Sequence, residues 1–305
     1  MLFQSQGICP ICNTHGKPWC TSQDWEYRFT TDIYYYLKCP SCHTIFLKEL
    51  KEKHLSGIYP PNYYSFSQKS GSGIFKLKDK WDTRFYKSVL RNICSEKLSV
   101  LDIGGGTGEV SDTLKKADKR IVYSEIVDIN EGTRLLAEKK GHVYTCCEVE
   151  LYQTERKFEV ILLLNIIEHV HSPKRLIEKV SGLLADHGII IIKTPNAGCF
   201  DARLFRASYW GGLHCPRHWI IFTRDSFERI LTDTDLHIQN IKFTQGAAFW
   251  AYSVINLFRK KEITQKKKPL LESSFFPVLS IFFALIDICR SFFVPTSQMF
   301  IILRK

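Results

Sequence analysis

Between Ser99 and Val110 the chain reads Ser-Val-Leu-Asp-Ile-Gly-Gly-Gly-Thr-Gly-Glu-Val. A short apolar run carrying an acid meets four glycines within five residues, Gly104, Gly105, Gly106 and Gly108, and then a helix-like segment. That order specifies a buried strand, a tight turn and a helix start. Glycine tolerates positive φ and lets the backbone approach a ligand closely. The first amides of the following helix have no intrahelical partner. The turn is therefore suited to a small polar molecule at the carboxyl end of a strand, where open α/β sheets bind ligands. A bare strand–helix connection is the bland reading, but clustered glycines cost chain entropy that such a turn need not spend. No Gly-Lys-Ser/Thr follows, which argues against a phosphate-binding P-loop. Asp102, just ahead of the glycines, would repel a diphosphate and suits a ligand carrying positive charge.

Val100-Leu101-Asp102-Ile103-Gly104-Gly105-Gly106-Thr107-Gly108 resembles the first motif of class I S-adenosylmethionine-dependent methyltransferases, which more commonly have Cys or Ala at the place of Gly105. The resemblance implies a Rossmann-like α/β sheet of seven strands with the last one antiparallel, and S-adenosylmethionine as cofactor. It covers residues 98–245 and the final strand. Strand and helix patterns alternate through that range, as a mostly parallel sheet requires. The second strand runs from Arg120 to Val127 and ends at Asp128, followed by Ile129 and a helix that stops at Gly141. An acid there can accept both ribose hydroxyls of a nucleoside; a plain helix N-cap is the alternative. Asp128 and Ile129 are thus assigned to the cofactor. A third strand, Val143 to Glu148, ends where the resembling family bonds the adenine amino group; the aligned position falls near Cys147 or Glu148, and Glu148 is chosen. Phe158 to Leu164 is apolar enough to be buried on both faces. Asn165 follows at its carboxyl end, near the cofactor. Asn165-Ile166-Ile167-Glu168-His169-Val170 resembles the Leu-Glu-His-Val segment of small-molecule methyltransferases, the ubiquinone-biosynthesis type among them. Glu168 and His169 read either as a catalytic pair or as the cap of a turn.

Ser172-Pro173 starts the next helix, with Ser as N-cap and Pro at its first position. A fifth strand from Ile189 to Lys193 leads into a long polar and aromatic loop containing Trp210, His214, Pro216, Arg217 and His218. Loops of that length at a strand's carboxyl end are usually functional. Its Pro-Arg-His pattern resembles the methyltransferases of bacterial polysaccharide and secondary-metabolite pathways. His218 and His214 are the general-base choices, since a neutral imidazole can take a proton from a hydroxyl near pH 7. A histidine that merely ties the loop is the bland reading. Thr223 caps a helix, Leu236 to Phe243 forms a sixth strand, and Met299 to Leu303 the antiparallel seventh.

Outside the core, residues 1–50 carry Cys9-Pro-Ile-Cys12 and Cys39-Pro-Ser-Cys42. Two Cys-x2-Cys pairs can set four thiolates around one structural zinc, and the gap between them accommodates a β-hairpin built on Tyr27–Phe29 and Ile33–Leu37. This is read as a zinc ribbon. Eleven cysteines with no visible secretory signal favour reduced thiols and a cytoplasmic protein. Residues 51–97 are a linker and helix; Tyr59 to Phe66 reads as a linker or as a lid.

Residues 246–296 form an insertion with two basic clusters, Arg259-Lys260-Lys261 and Lys266-Lys267-Lys268, and then an apolar run, Phe275 to Val294. Thirteen Leu, Ile, Phe or Val residues in that run are offset by Asp287 and Arg290, so insertion energies sum to roughly zero and a spanning helix is not supported. A buried helical cover and a helix lying on the inner, anionic membrane surface both remain. The net charge of +11 fits an anionic partner without choosing one.

Together these features describe methyl transfer to an oxygen or nitrogen of a small-molecule, sugar or lipid-linked acceptor. The rivals are an RNA methyltransferase docking through the ribbon, a nicotinamide oxidoreductase and a non-catalytic binding module. The ribbon resembles that of rRNA guanine methyltransferases, but no Asn/Asp-Pro-Pro-Tyr motif follows the fourth strand, which disfavours nucleic acid.

Overall fold

A computed structural model describes residues 4–50, 73–206, 209–259 and 275–305. The stretch from Tyr59 to Phe66 and most of the two basic clusters lie outside the described residues. In chain order the strands are β1 (Lys17–Ser22), β2 (Tyr34–Lys38), β3 (Ile45–Leu47), β4 (Leu98–Ile103), β5 (Ile121–Asp128), β6 (Val143–Cys146), β7 (Phe158–Leu164), β8 (Leu184–Pro195), β9 (Ile220–Ile221), β10 (His237–Thr244) and β11 (Gln298–Arg304). The helices are α1 (Gly73–Leu90), α2 (Glu109–Ala117), α3 (Arg134–Lys139), α4 (Pro173–Leu183), α5 (Phe200–Leu204), α6 (Arg224–Ile230), α7 (Ala247–Arg259) and α8 (Phe275–Arg290).

Seven strands form one sheet in the order β10-β11-β8-β7-β4-β5-β6. Pairings from β6 across to β8 are parallel, and β11 runs antiparallel to both β8 and β10. The chain steps outward from β4 to β6, then returns to the other side of β4 at β7. The crevice at that reversal, outside the carboxyl ends of β4 and β7, is where such a sheet receives a ligand.

Alternation along the central strands divides the core between two faces. Leu98, Val100, Val160, Leu162, Ile189 and Ile191 pack toward α1 and α2. Leu101, Ile103, Ile161, Leu163, Ile190 and Ile192 pack toward α4 on the other face. β7 and β8 are apolar at both sets of positions because both faces are covered. The α4 stripe of Leu176, Ile177 and Val180 is fully buried, with Pro173 at its first turn. Thr223 closes a capping box with Ser226 at the start of α6. The fifth core strand starts earlier than its isoleucine run: Leu184 already pairs with Phe158, ahead of the Asp186–Gly188 turn.

The N-terminal segment is a second, four-stranded sheet in the order β1-β2-β3-β9. Its hairpin pairs Lys17–Ser22 with Tyr34–Lys38, so Tyr27–Phe29 is not a strand. The cause is Asp24, whose carboxylate accepts the amides of Tyr27 (3.1 Å) and Phe29 (3.1 Å) and bends the chain. The fourth strand belongs to the loop after β8: Ile45 faces Ile221 and Phe46 faces Ile220. Tyr36 and Phe46 accordingly share one apolar cluster with Ile161, Leu163 and Phe222.

Polar groups close the same seam. Arg217 is fully buried and donates to both Asp24 oxygens at 3.0 and 3.2 Å. The Tyr36 hydroxyl donates to the His218 carbonyl (3.2 Å), and the Leu47 amide to that of Trp219 (2.8 Å). Removing one partner of a fully buried pair strands the other's charge, which costs about 3–5 kcal/mol. Arg217→Met is expected to destabilise by that order in denaturant unfolding. The double variant Arg217→Met/Asp24→Asn is expected to recover part of the loss; additive losses would contradict the pairing.

Candidate active site at the carboxyl ends of the parallel strands

β4 ends in the glycine turn, and φ is +72° at Gly104 and +54° at Gly106, where L side chains are strained. A Cβ on Gly104 would lie 2.0 Å from Ile166 Cδ1, whereas one on Gly106 would meet nothing within 4 Å. The turn is thus packed hard against the β7 tip on one side and open over Gly106 on the other. Gly108 is the N-cap of α2 and brings no side-chain acceptor to its first turn. Those amides, with the helix dipole behind them, favour a carboxylate or other anionic end of a ligand.

Two acids clamp the turn from opposite sides. Asp128, at the tip of β5, accepts the Gly106 amide (2.9 Å) with one oxygen and the Asn130 amide (2.9 Å) with the other. It is half-buried, and each of its oxygens has a lone pair left to accept a further hydrogen bond. Asp102 is turned beneath the turn: it accepts the Ser111 hydroxyl (2.8 Å), and a Cβ on Gly105 would lie 2.6 Å from its carboxyl carbon. In strand alternation Asp102 shares the α1–α2 side with Val100. Its contribution to a cation above the turn is a field through the backbone. Burial pushes the Asp102 carboxyl up to about 7; the Ser111 hydrogen bond opposes this shift, and the neighbouring Asp128 charge adds to it.

The remaining cofactor-side residues surround these. Ile129 is 65 % exposed beside Asp128, an apolar surface at the strand tip. The Cys147 amide donates to the Asp128 carbonyl (3.1 Å), so the main chain past β6 lies alongside. Glu148 is exposed one residue further on, where its carbonyl accepts the Leu151 amide (3.0 Å). Asn165 takes φ +57° at the end of β7 and donates its amide to Lys193 (2.7 Å).

The loop after β8 delivers its histidines next to Glu168. Glu168 is fully buried; one oxygen accepts the Thr194 hydroxyl (3.0 Å), while Oε1 has no hydrogen-bond partner. His218 Nε2 lies 3.9 Å from that oxygen. His218 Nδ1 lies 2.8 Å from the Gly212 carbonyl, which can only accept. Nδ1 therefore carries the proton and Nε2 the lone pair. His169 is fixed the same way by the Arg217 carbonyl (2.9 Å). Its ring centre is 4.9 Å from that of His218, and His214 stands 5.0 Å away on the other side. His214 pairs through Nδ1 with Glu26 of the N-terminal sheet. Burial pushes Glu168 up to about 8 and His169 down to about 3, and it holds His218 well below the ordinary imidazole range. Near neutral pH, Glu168 is thus mostly protonated and His169 and His218 are uncharged.

The glycine turn, Asn165 and the loop of His214 and His218 each follow the carboxyl end of a strand, β4, β7 and β8 respectively. Sequence reasoning missed Ser111 beneath the turn, and Asp24 and Glu26 behind the histidines. The acidic pair in Asp24-Trp25-Glu26 was the available signal, but its partners lie nearly two hundred residues away in the chain.

The four cysteines also converge. Sγ separations are 3.6 Å for Cys9–Cys42, 3.4 Å for Cys12–Cys39 and 3.6 Å for Cys12–Cys42. A tetrahedron with bonds of about 2.3 Å has edges of roughly 3.8 Å, so the set fits zinc. The two knuckles repeat one another: Asn13 donates to the Cys9 carbonyl and His43 to that of Cys39, with φ +58° and +60° at the two donors.

A nucleotide crevice with an acid at the second strand tip, in a sheet of this order, defines the S-adenosylmethionine-dependent methyltransferases of class I. A family model described as a methyltransferase domain matches residues 78–241, and the chain belongs to that family. Among curated relatives, a ubiquinone biosynthesis O-methyltransferase of Bradyrhizobium sp. (strain ORS 278) is 24 % identical over 191 residues, covering 58 % of this chain and 74 % of that protein. One from Bradyrhizobium diazoefficiens is 24 % identical over 123 residues, which cover 39 % of this chain. In that second comparison the chain spans only about half of the relative's length (49 %). Among solved structures, a coclaurine N-methyltransferase bound to N-methylheliamine and SAH aligns with TM-score 0.49 at 13 % identity, over 84 % of this chain and 81 % of that one. A plantazolicin methyltransferase in complex with SAH aligns with TM-score 0.48 at 17 % identity, over 83 % and 90 %.

An acid whose pKa is raised on folding binds more protons folded than unfolded, so stability falls as pH climbs from the unfolded value, about 4, through the folded one. For Asp102 and Glu168 that window is about pH 4 to 8. Thermal unfolding of the ligand-free protein is expected to show Tm falling across it, and Asp102→Asn to flatten the slope. An unchanged slope in the variant would contradict the burial of an ionisable Asp102.

Proposed function

We propose that the enzyme methylates a hydroxyl of a small-molecule or lipid-linked acceptor, with His218 as the general base. The observation that carries this is the His218 tautomer: Nδ1–H is committed to Gly212, and the Nε2 lone pair lies 3.9 Å from the buried Glu168. The residues present fit the cofactor: Gly106 is open above, the first turn of α2 has no side-chain cap, and Asp128 is aimed at the same crevice. Bound S-adenosylmethionine supplies a methyl group on a sulfonium centre.

The chain's residues do the rest. Asp128 would accept ribose hydroxyls, and Ile129 and Glu148 would hold the base. The fields of Asp102 and Asp128 favour the cationic cofactor. At the acceptor side, His218 Nε2 takes the hydroxyl proton as the oxygen attacks, and the imidazolium so formed lies 3.9 Å from the Glu168 carboxyl. Burial keeps His218 uncharged and ready to accept, while the packed loop excludes water. That the relatives named above are O-methyltransferases of ubiquinone biosynthesis supports an oxygen acceptor.

Zinc completes the proposal. Cys9, Cys12, Cys39 and Cys42 hold it in a closed, structural site. Through β3–β9 and the Asp24 and Glu26 pairs, the ribbon sets the loop that carries His214 and His218. Metal analysis is expected to give about one zinc per chain. Cys42→Ser is expected to lower Tm and methyl transfer together, and a variant with unchanged zinc content and activity would contradict the assignment.

Incubation with labelled S-adenosylmethionine and fractionated extract is expected to label a lipid or small-metabolite fraction; label confined to RNA would overturn the acceptor class. With the acceptor in hand, His218→Gln is expected to lower kcat by about 10²- to 10⁴-fold without changing cofactor affinity. Unaltered kcat would remove His218 from the mechanism.

A further inference from the structure

α8 packs one side on α7, where Phe283 stacks on Trp250 (ring centres 5.0 Å apart) and Phe276 leans on Tyr252 (4.7 Å). Its opposite side is bare. Nine large apolar side chains between Phe275 and Val294 are exposed, among them Phe275 at 73 %, Leu285 at 62 %, Phe292 at 79 % and Phe293 at 87 %. No exposed residue from Phe275 to Pro295 is charged. An uninterrupted apolar face of this kind on a folded protein marks an interaction surface.

The two charged residues that break this run in the sequence do not reach that face. Asp287 is buried, accepts the Gly246 amide (2.9 Å) and takes the Arg290 guanidinium at 2.7 Å. Arg290 lies over the Trp250 ring, 5.1 Å from its centre. The charge count that weighs against membrane insertion therefore falls on the protein side of the helix and costs the outer face nothing. The end of α7 adds Phe258, 80 % exposed, immediately before the clusters Arg259-Lys260-Lys261 and Lys266-Lys267-Lys268. These six positive charges stand in the segment that leads from α7 to the apolar face.

We propose that the outer face of α8 and the segment from Phe292 to Val294 dock on an anionic lipid bilayer, lying in the plane of the interface. Apolar burial supplies the anchoring, and the lysine clusters supply electrostatic attraction to the anionic surface. The helix lies on the bilayer and does not cross it: 16 residues span about 24 Å, short of the ~30 Å hydrocarbon core. No helix among the described residues is long and apolar enough to cross a membrane. Charge complementarity selects this occupant over a second copy of the chain, whose own net charge of +11 would oppose pairing through the same basic region.

The test is co-sedimentation of the full chain with vesicles of phosphatidylcholine alone or with about one third phosphatidylglycerol. The bound fraction is expected to be at least ~10-fold higher on the anionic vesicles and to fall steeply with added salt. Phe282→Glu/Phe293→Glu is expected to lower it by more than ~10-fold with Tm and cofactor affinity unchanged. Lys266→Glu/Lys267→Glu/Lys268→Glu is expected to abolish the preference for anionic lipid. Equal or absent binding to both vesicles would overturn the proposal. So would a wild-type dimer in light scattering that Phe282→Glu/Phe293→Glu converts to monomer.

Discussion

The hydrogen bond from the Gly106 amide to the Asp128 carboxylate joins the two strand tips on which everything else in the crevice is aligned. It is charge-assisted, and it ties the tips of the adjacent parallel strands β4 and β5. Gly106 can offer that amide because its φ of +54° turns the backbone outward, over a surface with no neighbour. Asp102 supports the same turn from below through Ser111. The turn is therefore held by carboxylates on two sides, Asp102 buried beneath it and Asp128 half-buried at the strand tip.

The second half of the site is made by a segment that ordinarily would count as an appendage. The N-terminal sheet recruits Ile220 and Ile221 as its fourth strand and buries Arg217 against Asp24. His214 answers Glu26, and the His218 carbonyl accepts the Tyr36 hydroxyl. A long loop carrying His214 and His218 is thereby fixed from behind, with His218 Nε2 3.9 Å from Glu168. The four cysteines lie at the far end of the same sheet. Their order is transmitted to the histidines through packed strands, with no ligand atom shared between the two centres.

Local signals carried most of the fold. The glycine turn, the apolar run of β7 and the antiparallel last strand each announce themselves within a dozen residues, because period and turn chemistry are local properties. What stayed illegible was long-range pairing. Tyr27–Phe29 has strand-like side chains, yet Asp24 binds its amides and makes it a turn. The sequence leads one to expect Asp102 at a cationic ligand. It sits one layer down because Gly105, having no side chain, lets the carboxyl tuck under the turn. Asp287 and Arg290 weigh against a spanning helix in a linear sum, while in the fold both side chains are turned to the protein. In each case the residue's type was legible and its partner was not.

The most direct measurement is calorimetric titration of S-adenosylmethionine and of NADH into the wild-type protein and into Asp128→Asn. Binding of S-adenosylmethionine alone is expected, weakened by about 10- to 100-fold in the variant, the worth of hydrogen bonds to a charged group. Failure of the wild type to bind S-adenosylmethionine, or equal affinity in the variant, would contradict the carboxylate-clamped turn as the cofactor site.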